Sequence, residues 1–164
     1  MKEAKLDTFP RLLLHHAAVR GARPAIREKD LGIWQTWTWA EVAQEVRDLA
    51  NGLALLGFQR GDSLAIVGDN RPRLYWALCA AQALGGTPVP VYQDAVASEM
   101  VYVLRDADVA FVLAEDQEQV DKLLEVLPQC PRIRHIVYDD TRGMRHYRVP
   151  QLCSYDALFE RVRA

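Results

Sequence analysis

The clearest pattern of hydrophobic and polar positions lies in the second quarter of the chain. Apolar residues recur there at helical spacing: Val42, Val46, Leu49, Leu53 and Leu56. Thr38 and Glu41 stand at the positions of a capping box, in which each side chain accepts a hydrogen bond from the other residue's backbone amide. Gly57 follows the last apolar position, and glycine is the residue type that commonly ends a helix. The pattern predicts a helix between Thr38 and Gly57.

Other stretches follow the patterns of strands and shorter helices. The runs at 63–67 and 109–113 are almost wholly apolar, which indicates strands covered on both faces. Weaker strand patterns occupy 25–27, 33–37, 89–92 and 133–138, the first two as a hairpin across the turn 29–32. Further helices are predicted at 12–18, 74–84, 98–107, 117–127 and after 154. Thr8 or Pro10 begins the first of these, Asn70 caps the second, and Ser154 caps the last.

This order of elements predicts the fold class. Strands that alternate with helices indicate an α/β fold with a mostly parallel sheet flanked by helices and joined by right-handed connections. The chain has 164 residues and contains no repeat, low-complexity run or flexible linker. We therefore expect residues 1–164 to form a single compact unit, and the fold alone leaves many functions open.

Composition narrows the choice of partners and compartment. The formal net charge of −2 gives no electrostatic case for nucleic acid or for an anionic membrane. The odd number of cysteines and their spacing predict neither a disulfide framework nor a zinc site. The apolar stretch 74–91 is interrupted by glycines and prolines, so it does not predict a membrane span. Without the apolar core of a signal peptide near the N-terminus, we expect a cytoplasmic location.

A search for catalytic motifs identifies no catalytic, cofactor-binding or metal-binding residue. No phosphate-binding loop of the form G-x-x-x-x-G-K-[ST] occurs, and no G-x-G-x-x-G opens a helix after a strand. His15 and His16 are adjacent, so a helix would point them in different directions. The acidic pairs Glu115–Asp116 and Asp139–Asp140 each follow a strand, where the chemistry of turns explains them.

Two polar residues remain as candidates for a site. Asn70 and Tyr92 each follow a predicted strand directly, and ligands of open parallel sheets lie beyond the carboxyl ends of the strands. A helix cap is the competing interpretation of Asn70. Trp34, Trp37 and Trp39 could form a hydrophobic ligand surface, but alternation on a strand followed by a helix start favours core packing.

Several segments in order resemble the opening of the AMP-forming acid–CoA ligases, an adenylate-forming superfamily, and most closely the bacterial long-chain fatty-acyl-CoA synthetases. The resemblance rests on the stretches 8–13, 26–34, 49–57, 60–62, 69–72 and 85–93. It implies that this chain is a partial copy of the large N-terminal domain of those enzymes. The family's Ser/Thr/Gly-rich loop, its later acidic and arginine motifs and its C-terminal lysine would then lie beyond Ala164.

The resemblance also implies a reaction for the whole enzyme. A fatty acid, ATP and coenzyme A would be its substrates, Mg²⁺ its metal ion, and an acyl-adenylate its intermediate. For this segment the resemblance implies a structural role without a cofactor of its own, with Asn70 and Tyr92 at the edge of the acyl pocket. We expect the isolated chain to be inactive and to form a homodimer that hides an apolar surface near 63–67, 74–84 and 109–113. The alternative is a stand-alone α/β binding or interaction module.

Overall fold

The computed structural model describes residues 5–163, which form alternating strands and helices. The helices are α1 Phe9–Arg20, α2 Trp39–Leu55, α3 Pro72–Ala83, α4 Ala97–Asp106, α5 Gln117–Val126 and α6 Tyr155–Arg163. The strands are β1 Pro24–Asp30, β2 Ile33–Thr38, β3 Ser63–Val67, β4 Thr87–Val91, β5 Val109–Ala114, β6 His135–Tyr138 and β7 Leu152–Ser154. Short 3₁₀ turns occupy Leu127–Gln129 and Met144–His146.

Five parallel strands form the central sheet in the order β4-β3-β5-β6-β7, while β1 and β2 form a separate antiparallel hairpin. Successive residues of β3 belong to opposite layers of the core. Leu64 and Ile66 share one cluster with residues of α1, α2, α3 and α6, whereas Ala65 and Val67 share the other with residues of α4 and α5. The α/β fold and its parallel sheet, predicted from the order of elements, are confirmed.

The local signals around α2 are also confirmed. The Thr38 amide donates to Glu41 Oε2 at 2.7 Å, and the Glu41 amide donates to Thr38 Oγ1 at 3.3 Å, which completes the capping box. Gly57, with φ at +88°, takes the left-handed conformation that ends such a helix. Ser154 likewise begins α6, since its Oγ accepts the Ala157 amide at 3.2 Å.

Two expectations about individual elements are wrong, and one strand was missed. The cap of α3 is Arg71 rather than Asn70, because Pro72 occupies the first helical position and no side chain caps the helix. Strand β7 was not predicted, since its three residues are too few to show a period. Trp34 is 64% exposed, so core packing explains Trp37 and Trp39 but not Trp34.

The expected apolar surface at the central strands is also absent. Every residue of β3 and β5 is buried by other residues of the chain between 5 and 163. The helices of this segment therefore cover both faces of these strands without help. In the same range, no helix is both long enough and apolar enough to cross a membrane.

Candidate functional site

The turns that follow β3, β5 and β6 meet at the carboxyl edge of the sheet. Parallel strands end at the same edge, so Asp69–Arg71, Glu115–Asp116 and Asp139–Asp140 are brought together across about 70 residues of sequence. The hairpin lies against this edge, and a cleft of about 570 Å³ separates the two. Charged residues from the hairpin and from all three turns line it, with Trp37 and Trp76 as its aromatic surface.

Glu115 is the buried centre of this edge, with 8% of its surface exposed. Its Oε2 accepts the Asp69 amide at 2.6 Å, and its Oε1 accepts a hydrogen bond from Arg71 Nε. A β-carbon at Gly68 would lie only 2.5 Å from the Glu115 β-carbon, and Gly68 has φ at +152°. The turn after β3 therefore requires glycine at position 68, because a side chain would displace Glu115.

Arg71 joins the hairpin to the sheet. Its Nη1 lies 2.9 Å from Glu28 Oε1 on β1, while its Nε contacts Glu115 after β5. The hydrogen bond to Glu115 is the main cause that raises the pKa of the Arg71 guanidinium above its usual range, with Glu28 adding to it. Three segments that are distant in sequence are thus held by one cation.

A second cation organises the opposite side of the cleft. Arg73 Nη1 lies 2.5 Å from Asp139 Oδ1, and its guanidinium carbon stacks 4.3 Å from the centre of the Tyr155 ring. Burial raises the pKa of Asp139 although Arg73 opposes the change. Burial alone would lower the pKa of Arg73, but the charge of Asp139 makes the net shift upward. The contact joins two oppositely charged groups, and burial opposes the charged form of both.

Arginines pair Glu28, Glu115, Asp139 and Asp140, whereas Asp30 and Asp116, which also line the cleft, form no ion pair within residues 5–163. Glu28 and Glu115 accept hydrogen bonds from Arg71, and Asp139 accepts one from Arg73. Asp140 is paired with Arg142, whose hydrogen bond lowers the pKa of the Asp140 carboxyl. No group of three or more His, Cys, Asp or Glu side chains in residues 5–163 is arranged to hold a metal ion. The arrangement ties the hairpin to the sheet, and we assign no step of a reaction to it.

A second concavity contains both residues singled out from the sequence. Asn70 and Tyr92 line one groove of about 250 Å³ at the carboxyl ends of β3 and β4. Asn70 Oδ1 accepts a hydrogen bond from the Tyr75 hydroxyl at 3.2 Å, and Tyr92 is 88% exposed. The rest of the lining is mainly apolar: Ile66, Leu74, Leu78, Pro90 and Val91. The structure places the two candidates together, and their contact with a ligand stays a prediction.

Sequence reasoning missed the charged network beside this groove. Arg71 and Glu115 are 44 residues apart and Arg73 and Asp139 are 66 apart, so no local motif contains either pair. One signal was available: Glu115 and Asp139 both come directly after predicted parallel strands, whose ends share an edge. Each acidic pair was instead interpreted on its own as turn chemistry. That interpretation holds for Asp116, whose carboxylate accepts the Gln119 amide at 3.1 Å and caps α5.

Comparison with known proteins identifies the family to which this chain is similar. The family model described as "AMP-binding enzyme" matches residues 13–157. A long-chain-fatty-acid–CoA ligase of Mycobacterium bovis is 32% identical over 108 residues, which are 65% of this chain and 18% of that ligase. An uncharacterised protein of Mycobacterium tuberculosis is 38% identical over 106 residues, 65% of this chain and 58% of that protein. The chain thus spans under a fifth of the ligase but more than half of the shorter relative.

A solved structure shares the fold. The crystal structure of an anthranilate CoA ligase in complex with anthranoyl-AMP superposes with a TM-score of 0.73 at 21% identity. The match covers 79% of this chain and 24% of that enzyme. At this level of identity the likeness concerns the arrangement of strands and helices alone.

Proposed function

Because the chain belongs to the AMP-binding enzyme family, whose model matches residues 13–157, we propose that it is the N-terminal segment of an ATP-dependent fatty-acyl-CoA ligase. The observation that carries this proposal is the 32% identity to a long-chain-fatty-acid–CoA ligase over 65% of the chain. The resemblance of the hairpin region 26–34 to the long-chain enzymes points to the same substrate class.

The proposed reaction has two steps. A carboxylate oxygen of the fatty acid attacks the α-phosphorus of ATP, the bond to the β-phosphate breaks, and pyrophosphate leaves. The thiolate of coenzyme A then attacks the carbonyl carbon of the acyl-adenylate, and AMP leaves with the electron pair of the broken C–O bond. Such phosphoryl chemistry is served by Mg²⁺ and by cationic and amide groups placed where charge develops. We assign none of these groups to residues of this chain.

The segment's own contribution is proposed to be structural. Its five-stranded sheet would supply one part of the large domain. The groove between α3 and β4 would form part of the wall of the acyl pocket, because its lining is mainly apolar and Asn70 and Tyr92 stand at its rim. An apolar wall with few polar groups is the usual lining of a site for an alkyl chain.

Fatty-acid-dependent exchange of pyrophosphate into ATP tests the proposed activity. The assay requires the polypeptide that carries this segment together with the later family motifs. Exchange should appear with medium- or long-chain fatty acids and be absent without an acid. If aryl acids or amino acids alone supported exchange, the proposed substrate class would be wrong, although the family would stand.

The isolated segment gives a second test. We expect it to lack catalytic turnover and tight ATP binding, since we infer from the resemblance that the phosphate-binding loop of the family lies outside it. Titration calorimetry with ATP and Mg²⁺ should therefore detect no micromolar binding, which would correspond to about −8 kcal/mol. Binding of that strength would contradict the structural role proposed for this segment.

A stand-alone binding module is the second candidate function. It is favoured by the Mycobacterium tuberculosis relative, because the matched 106 residues make up 58% of that protein and 65% of this one. The two chains are therefore similar in size. A reading frame that continues past Ala164 into a Ser/Thr/Gly-rich loop would favour the ligase, and a stop codon at that point would favour the module.

A further inference from the structure

Helix α1 is held to the rest of the fold by few contacts. Among the helices between residues 5 and 163 it buries the fewest residues: only Leu13 is buried, with Ala17 packed beside it in the same core cluster. Its ion pair between Arg11 and Asp7 is local, and no side chain of α1 bonds to a later element of that range. Segments with few buried contacts open at a low cost in free energy. A change at one of these contacts can therefore shift α1 between a docked and a released state.

His16 is a polar member of the contact between α1 and α2. Its ring lies 4.7 Å from the ring of Trp39, the first residue of α2. Its Nδ1 is buried and has no hydrogen-bond partner within residues 5–163. A neutral imidazole tolerates this environment better than an imidazolium, which has a proton on both nitrogens and loses its hydration when buried. The docked position of α1 therefore selects the neutral form of His16.

The surroundings provide no counter-ion for a protonated His16. Burial lowers the pKa of its imidazole, and the cations Arg20 and His15 lower it further. Helix α3, which also contacts α1, contains no acidic residue.

The remaining charged groups of α2, of α3 and of the connection to β1 are engaged elsewhere or are cations themselves. They are Glu41, bonded to Thr38; Arg47 and Asp48, both bonded to Gln44; Glu45, in the field of Arg73 and Arg163; Arg73, paired with Asp139; and the cation Arg23.

We propose that α1 is a pH-sensitive strap, which neutral His16 keeps on α2 and which the protonation of His16 releases. An imidazolium at this position can regain hydration only if α1 moves away. The strap would stay attached at its end, because the carbonyls of Gly21 and Arg23 accept the amides of Ala40 and Trp39. Release would uncover the surface of α2 and α3 that Leu13 and Ala17 cover. This inference goes beyond the proposed ligase function and does not rest on it.

The direction of the pH dependence follows from the lowered pKa of His16. The released state binds the proton with the ordinary pKa of 6.5, and the docked state binds it only at lower pH. Docking should therefore be complete above pH 6.5 and decline as the pH falls below that value.

Nuclear magnetic resonance of the whole chain tests the proposal. A titration of the histidine ring signals should give a pKa below 6.5 for His16. Amide hydrogen exchange, corrected for the intrinsic effect of pH, measures the opening of α1. Opening should increase in acid by at most about ten-fold for each pH unit, because a single proton is bound. The amides of β3 and β5 should keep their protection, which distinguishes release of α1 from global unfolding.

Variants at position 16 separate the proton from the contact. His16→Phe keeps a ring against Trp39 but binds no proton, so α1 should stay docked down to about pH 5. His16→Gln, which is smaller and also neutral, should behave in the same way if the phenyl ring prevents folding. His16→Arg places a permanent cation at this position and should release α1 at neutral pH. The matched control His15→Gln removes the exposed neighbouring histidine and should leave release in acid in place.

Three outcomes would overturn the proposal. One is a pKa of His16 at or above 6.5, as an attractive cation–π contact with Trp39 would produce. Another is protection of α1 that persists after His16 has been protonated. The third is release in acid that is as large in the folded neutral variants, His16→Phe or His16→Gln, as in the parent, which would assign the effect to other titrating groups.

Discussion

At the scale of single residues, Glu115 is the side chain on which the carboxyl edge depends. It accepts hydrogen bonds from the Asp69 amide and from Arg71, and it is almost fully buried. Glu115→Gln would keep an acceptor for the amide but remove the charge that Arg71 faces. We expect it to lower the free energy of unfolding by about 1–2 kcal/mol, less than for a fully buried pair because Arg71 is partly exposed.

Urea denaturation measures this change, and α5 offers a matched control. Glu118 forms an ion pair with Lys122, but its side chain is 70% exposed. Glu118→Gln should therefore change the free energy of unfolding by less than about 0.5 kcal/mol. Equal effects of the two substitutions would mean that burial does not strengthen the Glu115 contacts.

Glu45 on α2 makes stability depend on pH. Burial raises the pKa of its carboxyl, which means that the folded state holds the proton to a higher pH than the unfolded state. Stability should therefore fall as pH rises from the ordinary value near 4.5 through the raised one. Glu45→Gln should remove this fall, so that the variant gains stability relative to the parent at neutral pH and less or none at pH 4. Thermal melts at both values check the sign, and a larger gain in acid would contradict it.

Contacts between residues close in sequence could be predicted from the sequence, whereas contacts between distant residues could not. The capping box of Thr38 and Glu41 is encoded within four positions, so local chemistry identified it. Asn70 is also a residue type that commonly caps helices, yet α3 begins at Pro72 and its cap is therefore Arg71. The Asn70 side chain instead accepts a hydrogen bond from the Tyr75 hydroxyl. The pairs Arg71–Glu115 and Arg73–Asp139 exist only after the sheet has brought three turns together.

At the scale of elements, periodicity predicted what is long or uniformly buried. Strand β3 was predicted with its observed bounds because all five of its residues are buried. Strand β6 was predicted two residues too long at its start, since Ile133 and Arg134 lie in the preceding turn, where the Arg134 amide bonds to Ala110. Strand β7 depends on pairing with β6 rather than on a pattern of its own.

The edge strand β4 shows how prolines protect a sheet. It pairs with β3 alone, and Pro88 and Pro90 stand opposite Leu64 and Ile66. Proline has no amide proton, so these positions offer no donor to a further strand. The double variant Pro88→Val/Pro90→Val should create such donors on an apolar edge, and we expect it to form large assemblies.

Light scattering over time at raised protein concentration detects this association. Pro131→Ala, in the exposed turn before β6, is the control for the loss of a proline outside the sheet. If both variants stay as dispersed as the parent, the edge of β4 is protected by some feature other than its prolines.

At the scale of the whole molecule, the exposed apolar residues lie beside the central strands rather than on them, and only Tyr75 falls in a stretch that the sequence indicated. The strands β3 and β5 are covered, but Tyr75, Tyr92 and Val96 are 47%, 88% and 54% exposed. Tyr75 and Tyr92 border the groove between α3 and β4, and Val96 follows four residues after Tyr92. Contiguous apolar surface on a free protein commonly marks a place of association.

We therefore predict that the isolated chain, without the rest of the proposed ligase, forms a two-fold dimer through this groove, since two copies of one apolar surface are most simply buried around a two-fold axis. Sedimentation velocity across a range of concentrations should show a monomer–dimer equilibrium. Tyr75→Ser/Tyr92→Ser should shift that equilibrium toward monomer by roughly ten-fold or more, because each ring would lose its buried contact. Tyr102→Ser, at an exposed tyrosine away from the groove lining, should leave it unchanged. A chain that sediments as a monomer at every concentration, without binding an apolar dye, would instead be self-sufficient, and that result would favour the stand-alone module over the ligase segment.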